Sequence, residues 1–431
     1  MIALAIDLGT TTLAASLIDT GSGKRLAMTG SLNPQRRFGA DVVARLDAAV
    51  NAEEALQEMS ALVRAELRRL GQVVCEQARI AWDDVRQIAI AGNPAMQHLL
   101  LGLPVRSLAF PPFRPLFTSG TQVTAGELGW DGDAPVYIFP MPGGFVGGDT
   151  VAFVYGQEET AQATGNSDRP LTSNFEHRTS NPVLYLDMGT NGEMALTGGE
   201  TIWATSAAAG PAFEGGNLSC GMAALTGAIS SVAIEGERVH LAVIGNGAPT
   251  GICGSGAIEA VSELLHNDIV EPNGRLRAGG EIPSNLANRI IDHQGENAFV
   301  LYRDARQQLF LTQGDIRQIQ LAKAAIRAGM EVLAERSRIR LQSLRDVLLT
   351  GSFGAVLRQE WLKTIGIFDQ GMVQVSRFTP EGALAGVERA LAANDGFDAV
   401  EHLGGRFRVV PLSGTPLFET LFMRNIDFPH P

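Results

Sequence analysis

An α/β protein made of two related halves is the fold class this sequence predicts, and three observations predict it. Short apolar runs alternate with longer stretches whose apolar residues recur at helical spacing. A strand–turn–strand–turn–strand pattern opens the chain at Ile2 and restarts at Val183. Both copies carry one turn: Asp7-Leu8-Gly9-Thr10 and Asp187-Met188-Gly189-Thr190 align with aspartate, glycine and threonine in register. A repeat spaced from Asp7 to Asp187 is too long for a solenoid and points to a duplicated domain.

The elements follow in order. Ile2–Ile6 is a continuous apolar run, which suits a buried strand. Asp7–Thr12 is a turn, Leu13–Ile18 a second strand, Asp19–Gly23 a turn and Arg25–Gly30 a third strand. Asn33-Pro34-Gln35 precedes a helical stretch starting near Gly39. Leu56, Met59, Leu62, Val63, Leu67 and Leu70 place a long helix over Glu53–Leu70. Ile88–Ala91 is a strand ending in Gly92-Asn93-Pro94, and Val136–Phe139 is another. Residues 157–182 are polar and read as a surface loop. The meander returns as Val183–Leu186, Glu193–Leu196 and Thr201–Thr205, with turns at Asp187–Gly192 and Gly198-Gly199. Asp315–Arg336 is a long helix, Val347–Thr350 a strand, Val373–Ser376 a late strand and Pro380–Ala393 a terminal helix that begins with a proline.

Composition bounds the function. A length of 431 residues is enough for two or three domains. A net charge of -12 would repel nucleic acid and anionic membranes, so neither is expected as a partner. No apolar run reaches the ~18–20 residues that cross a bilayer. Three cysteines give no disulfide framework and too few thiolates for an iron–sulfur cluster. The expectation is a reduced, cytoplasmic protein. Lys24, Lys323 and Lys363 are the only lysines; Lys363 alone precedes a Ser or Thr, and Leu362 stands where the motif needs glycine, so a P-loop is excluded.

The paired turns carry the chemistry. Gly9, Gly189 and Gly192 let the backbone approach a phosphate, where successive N–H groups form an anion-binding nest. The hydroxyls of Thr10, Thr11, Thr12 and Thr190 and the Asn191 amide add donors. Asp7 and Asp187 repel phosphate directly, and their expected role is to hold a hydrated Mg²⁺ between the turns. Two such turns would clamp one triphosphate.

This arrangement resembles the actin, sugar-kinase and heat-shock-chaperone ATPase superfamily. The resemblance implies a duplicated actin-like (ribonuclease H-like) fold with ATP in a cleft between two lobes. It also implies a connecting helix over Gly143–Gly156, in which Asp149 matches the residue that positions the attacking water. Gly351, Ser352, Phe353 and Gly354 then line the nucleoside. Finer motifs resemble the reductive activators of corrinoid proteins, in order and over nearly the whole chain: Asn33–Val42, Gly92–Gly102, Leu186–Glu193, Ala208–Gly215, Gly251–Ala257 and Gln313–Arg317. That family couples ATP binding and slow hydrolysis to one-electron reduction of Co(II) corrinoid to Co(I). The resemblance implies a corrinoid protein or corrinoid-dependent methyltransferase as partner and a ferredoxin-type donor, fused or separate. An iron–sulfur cluster is expected only in a missing or separate domain. A homodimer is compatible with this reading. The implied boundaries are a first lobe at 1–156, the polar loop at 157–182, a second lobe at 183–393, and a C-terminal segment at 394–431 packing back on the lobes. Two other functions fit the same motifs, a small-molecule (sugar or carboxylate) kinase and a nucleotide sensor that does not hydrolyse.

Other residues have blander readings. Gly245, Gly247 and Gly251 mimic a dinucleotide fingerprint, but with one residue too many in the spacing. Cys253 and Cys220 read as small packing residues before they read as thiolates. His98 reads as a buried or capping residue, since no second ligand sits at i+3 or i+4. Glu193 and Glu214 suit a hinge or solvated role as well as a catalytic one, and Arg36 and Arg37 suit a solvated face.

Overall fold

The computed structural model describes residues 1–157, 181–351 and 357–430. Ser352, Phe353 and Gly354, and the 157–182 loop except its first residue and last two, lie outside the described residues. The opening meander forms as β1 (Ile2–Leu8), β2 (Thr12–Asp19) and β3 (Lys24–Leu32). Two helices follow, α1 (Val42–Asn51) and α2 (Glu53–Ala78). Next come β4 (Val85–Gly92), α3 (Pro94–Leu101), α4 (Arg106–Ala109), β5 (Thr121–Thr124), β6 (Pro135–Ile138) and α5 (Gly148–Gln157). These strands make one six-stranded sheet of order β3-β2-β1-β4-β6-β5. Its parallel pairs are β1–β4 and β4–β6, while the hairpins and β5–β6 are antiparallel. The sheet is mixed, because each tight turn of a meander imposes an antiparallel pair.

The helix expected to stop at Leu70 continues to Ala78, through Gly71. A methyl group at Gly71 would meet the Trp82 ring at 2.6 Å and Leu4 at 3.2 Å, so glycine there brings the helix close to its neighbours. Leu4, Ile6, Leu13 and Leu17 of the sheet pack in one core with Met59, Val63, Leu67 and Leu70 of α2.

The second meander is β7 (Val183–Met188), β8 (Gly192–Thr197) and β9 (Ile202–Ala207). A small sheet follows from β10 (Ala228–Glu235), β11 (Arg238–Val243) and β12 (Gly251–Ile252), then α6 (Gly254–His266). A second small sheet holds β13 (Ile290–His293), β14 (Glu296–Arg303) and β15 (Gln308–Thr312), and leads into α7 (Gln313–Ser337). The remaining elements are β16 (Asp346–Thr350), α8 (Gln359–Thr364), α9 (Gln370–Val375), β17 (Ser376–Phe378), α10 (Gly382–Ala392), α11 (Gly396–Gly405), β18 (Phe407–Val409) and α12 (Pro416–Arg424). The late strand begins at Ser376, not Val373. Asp369 accepts the Met372 N–H at 3.0 Å and caps a helix over the preceding residues. The second six-stranded sheet has the order β18-β9-β8-β7-β16-β17, so both sheets repeat one plan: a three-strand meander whose first strand neighbours a later strand. This is a duplicated actin-like fold.

The chain divides into two compact units made of non-contiguous pieces. Unit 1 holds Met1–Tyr185, Ala195–Ser206 and Glu381–Pro411; unit 2 holds Leu186–Met194, Ala207–Pro380 and Leu412–Pro431. Within unit 1, α10 lies against α5 through glycines: a methyl group on Gly386 would fall 1.8 Å from the Ala152 carbonyl oxygen. Within unit 2, Ile316, Ile319, Ile326, Met330 and Leu333 of α7 are fully buried. No helix among the described residues is long and apolar enough to cross a membrane.

Candidate functional site

In unit 1 the turn after β1 is braced from behind. Asp7 pairs with Ala91 and Leu8 with Gly92, so the carboxyl ends of β1 and β4 lie side by side. Asn33 Nδ2 donates to the Gly9 carbonyl at 3.0 Å, Arg45 Nη1 to the Thr10 carbonyl at 2.8 Å, and the Asn33 N–H to the Thr11 carbonyl at 2.9 Å. In a trans peptide the C=O and the following N–H point in opposite directions. Holding the Gly9 and Thr10 carbonyls therefore turns the N–H groups of Thr10 and Thr11 away from Asn33 and Arg45, as an anion nest requires. Gly9 is compulsory here, because a Cβ would sit 2.3 Å from the Thr12 carbonyl oxygen.

Asn93 follows β4 and caps α3, its Oδ1 accepting the Met96 N–H at 3.0 Å. Its Nδ2 donates to Thr10 Oγ1 at 2.9 Å, which leaves the Thr10 hydroxyl proton to point at a ligand oxygen. Asp149 opens α5, and its Oδ1 accepts the Thr150 N–H at 2.7 Å. Burial raises its carboxyl to about 6, against the opposing pull of that bond. Gly147, two residues earlier, packs on the Gly92–Asn93 backbone; a methyl group there would lie 2.4 Å from the Gly92 oxygen. Unit 1 thus brings together the first turn, Asn93 and the segment carrying Asp149.

In unit 2 the second turn closes with the Gly189 N–H donating to the Asn191 carbonyl at 3.0 Å. Thr190 is buried, and its Oγ1 donates to Glu214 Oε2 at 2.5 Å. Glu214 ends a short 3₁₀ turn, Pro211–Glu214, between Gly210 and Gly215, both at positive φ. Gly192 packs on Ile326 of α7, where a Cβ would meet a side-chain carbon at 2.8 Å. Gly351 follows β16 at φ +135°, and a Cβ there would lie 2.7 Å from the Met188 oxygen and 3.4 Å from Asp187 Oδ1. Unit 2 therefore gathers Asp187, the second turn, Glu214 and Gly351.

Three contributors escaped the sequence reading of the site: Asn33, Arg45 and Asn93, which hold the first turn without needing to touch a ligand. The Asn93-Pro94 pair after an apolar strand was the available cue, since it is a helix N-cap followed by an N1 proline. Other residues took their bland readings. Cys253 is buried, its Sγ donating to the Ile229 carbonyl at 3.3 Å, and burial pushes the Cys220 thiol up. His98 is buried between the Pro104 carbonyl, 3.0 Å from Nδ1, and the Leu116 N–H, 3.3 Å from Nε2, and burial lowers its pKa. The glycines after β11 follow the edge of an antiparallel hairpin, not a βαβ unit. Asp315 accepts from Ser219 and Thr312 and pins the start of α7.

No group of three or more potential metal ligands lies among the described residues. Asp187 and Glu214 offer hard oxygen donors beside the second turn, which fits Mg²⁺ completed by water and phosphate oxygens.

The duplicated fold and its paired turns define an ATPase domain of the actin, sugar-kinase and heat-shock-chaperone class. Residues 181–431 match the C-terminal domain of RACo, the ASKHA domain, and residues 2–160 match the RACo middle region; the chain belongs to this family. It is similar to the corrinoid activation enzyme RamQ of Eubacterium limosum, 29% identical over 433 residues that cover 99% of this chain and 70% of that protein. It is also similar to the [Co(II) methylated amine-specific corrinoid protein] reductase of Methanosarcina barkeri, at 24% identity over 85% of this chain and 65% of that protein. A solved reductive activator for corrinoid, iron-sulfur protein aligns with a TM-score of 0.85 at 28% identity, over 100% of this chain and 66% of that one. The chain spans about two thirds of the length of these relatives.

Proposed function

We propose that this chain is the ATP-driven module of a reductive activator that returns a Co(II) corrinoid to Co(I). The observation that carries the reading is the braced first turn, in which Asn33 and Arg45 hold the Gly9 and Thr10 carbonyls and Asn93 donates to the Thr10 hydroxyl, in a chain of the RACo family. Thr10, Thr11 and Thr12 bind phosphate oxygens, together with the Asn191 amide and the backbone at Gly9, Gly189 and Gly192. Asp7 and Asp187 hold Mg²⁺ through water, and the ion supplies charge neutralisation to the phosphates. Asp149 orients the attacking water and accepts its proton, a role suited to a carboxyl whose pKa lies near the working pH. Gly351 and the residues after it receive the nucleoside.

Reducing Co(II) to Co(I) takes one electron and transfers no atoms. The electron comes from an iron–sulfur carrier outside this chain, and the partner is a corrinoid protein or corrinoid-dependent methyltransferase. ATP contributes only if the nucleotide-bound form prefers one state of that partner. Family membership favours this reading over a small-molecule kinase.

The test mixes the chain with a Co(II) corrinoid protein, a low-potential ferredoxin-type donor and Mg-ATP, and follows the cobalt absorption bands. Growth of Co(I) bands that needs both this chain and ATP supports the proposal. Bands that ignore ATP, or the absence of ATP binding, overturn it.

A further inference from the structure

Arg45 is the largest fully buried side chain among the described residues, with no exposed surface. Its Nε donates to the Gly39 carbonyl at 3.0 Å, and its Nη1 donates to the Thr10 carbonyl at 2.8 Å and lies 3.5 Å from Met96 Sδ. Nη2 has no hydrogen-bond partner. Asp41 is the acid whose charge favours the guanidinium, yet one of its oxygens caps α1 through the Ala44 N–H at 2.8 Å, and it makes no ion pair with Arg45. Burial pulls the pKa down to about 10, so the group is cationic at neutral pH. Buried charges are ordinarily paired, because desolvation is costly without a counter-charge. This one is hydrogen-bonded to carbonyl oxygens and has no ion-pair partner, Asp41 acting on it only at longer range, and it lies directly behind the turn that carries Thr10 and Thr11.

We infer that Arg45 is a positioning residue for the nucleotide phosphates: it acts through the Thr10 carbonyl to set the nest, and its unpaired charge makes the first turn prefer a polyanion over an uncharged nucleoside. The inference rests on the proposed ATP site and deepens it. It distinguishes Arg45 from a packing residue, which would support adenosine and ATP alike. It also accounts for an arginine rather than an apolar side chain at a site closed to water. A charge held in low dielectric is screened little by salt, so its attraction for phosphate persists at ionic strengths that erase surface charge effects.

The experiment measures the affinities of wild type, Arg45→Gln and Arg45→Lys for ATP, ADP and adenosine, after recording the thermal melting of each unliganded protein. Arg45→Gln keeps hydrogen-bonding capacity and loses the charge; Arg45→Lys keeps the charge. The expected result for Arg45→Gln is a loss of roughly tenfold in ATP and ADP affinity with adenosine affinity retained. Arg45→Lys should keep the wild-type ratio of ATP to adenosine affinity within about threefold. An unchanged ratio in Arg45→Gln overturns the inference, as does an equal loss for all three ligands. If Arg45→Gln does not fold, Arg45→Lys decides: a preserved ratio supports the inference and a collapsed one overturns it. Wild type that fails to bind ATP at all refutes the proposed function instead, so the two failures are distinguishable.

Discussion

Thr190 Oγ1 donates its proton to Glu214 Oε2 at 2.5 Å, whereas Thr10 Oγ1 accepts from Asn93 Nδ2 and keeps its own proton. The two matching turns are therefore not chemical copies. The first keeps a hydroxyl donor at Thr10. The second presents a threonine already committed to a carboxylate, which would repel phosphate unless a cation stands between them.

Replacing Glu214 with Gln keeps an oxygen that accepts from Thr190 and removes the charge. ATP binding without Mg²⁺ should strengthen by about tenfold while binding with Mg²⁺ weakens, narrowing the metal dependence. Calorimetric titration with and without Mg²⁺ reads this directly. An unchanged ratio would mean that the Glu214 charge is not felt at the nucleotide.

The two glycines should also differ. Gly9→Ala drives a methyl group to 2.3 Å from the Thr12 oxygen, so the turn must open; ATP affinity should fall by at least tenfold. Gly189→Ala meets only ordinary contacts, 3.6 Å from the Asn191 and Glu214 oxygens, and should melt within a few degrees of wild type. Melting curves with and without nucleotide separate the two cases.

Asp149 has a folded value near 6 against an ordinary value of 3.8. Between those values the native state retains a proton that the unfolded chain has lost. Stability therefore falls as pH rises from about 4 to about 6, and levels off above. The difference between those values corresponds to on the order of 3 kcal/mol. Asp149→Asn should flatten this slope in urea unfolding. If Asp149 is the base, the same substitution should also remove a rising limb centred near pH 6 in kcat/KM for hydrolysis.

Much of the fold is readable in the sequence because its elements are local. The apolar run Ile2–Ile6 and the helical spacing from Leu56 to Leu70 need no distant partner to be recognised. Gly71 misleads, since its reason for being small lies in Trp82 and Leu4. Val373–Ser376 misleads because strand propensity there gives way to the Asp369 cap. At the site, the Asp-Gly-Thr turns are visible as motifs. Arg45 is not, because its partners Gly39 and Thr10 come together only through tertiary packing.

The C-terminal end is held on unit 2 by a buried hand-hold. Gln320 Nε2 donates to the Ile426 carbonyl at 3.2 Å, Lys323 Nζ donates to the Asp427 carbonyl, and the Phe428 N–H donates to the Pro272 carbonyl at 2.7 Å. Phe428 itself is 2% exposed. Phe428→Ala should destabilise unit 2 by about 3 kcal/mol, read by urea unfolding with Trp361 as the tryptophan of that unit. An effect under ~0.5 kcal/mol would show that the anchor is loose.

Where Gly156 and Ala152 of α5 meet Gly386 of α10, the two backbones touch with no room for a side chain between them. A tilt at the end of α5 that bears Asp149 is passed to α10 undamped, as between meshed gears. Along α10 it reaches Glu388, which grips Arg25 at 2.6 Å on β3, the outermost strand of the sheet. Motion that begins at Asp149 thus has a stiff mechanical route to the far edge of unit 1.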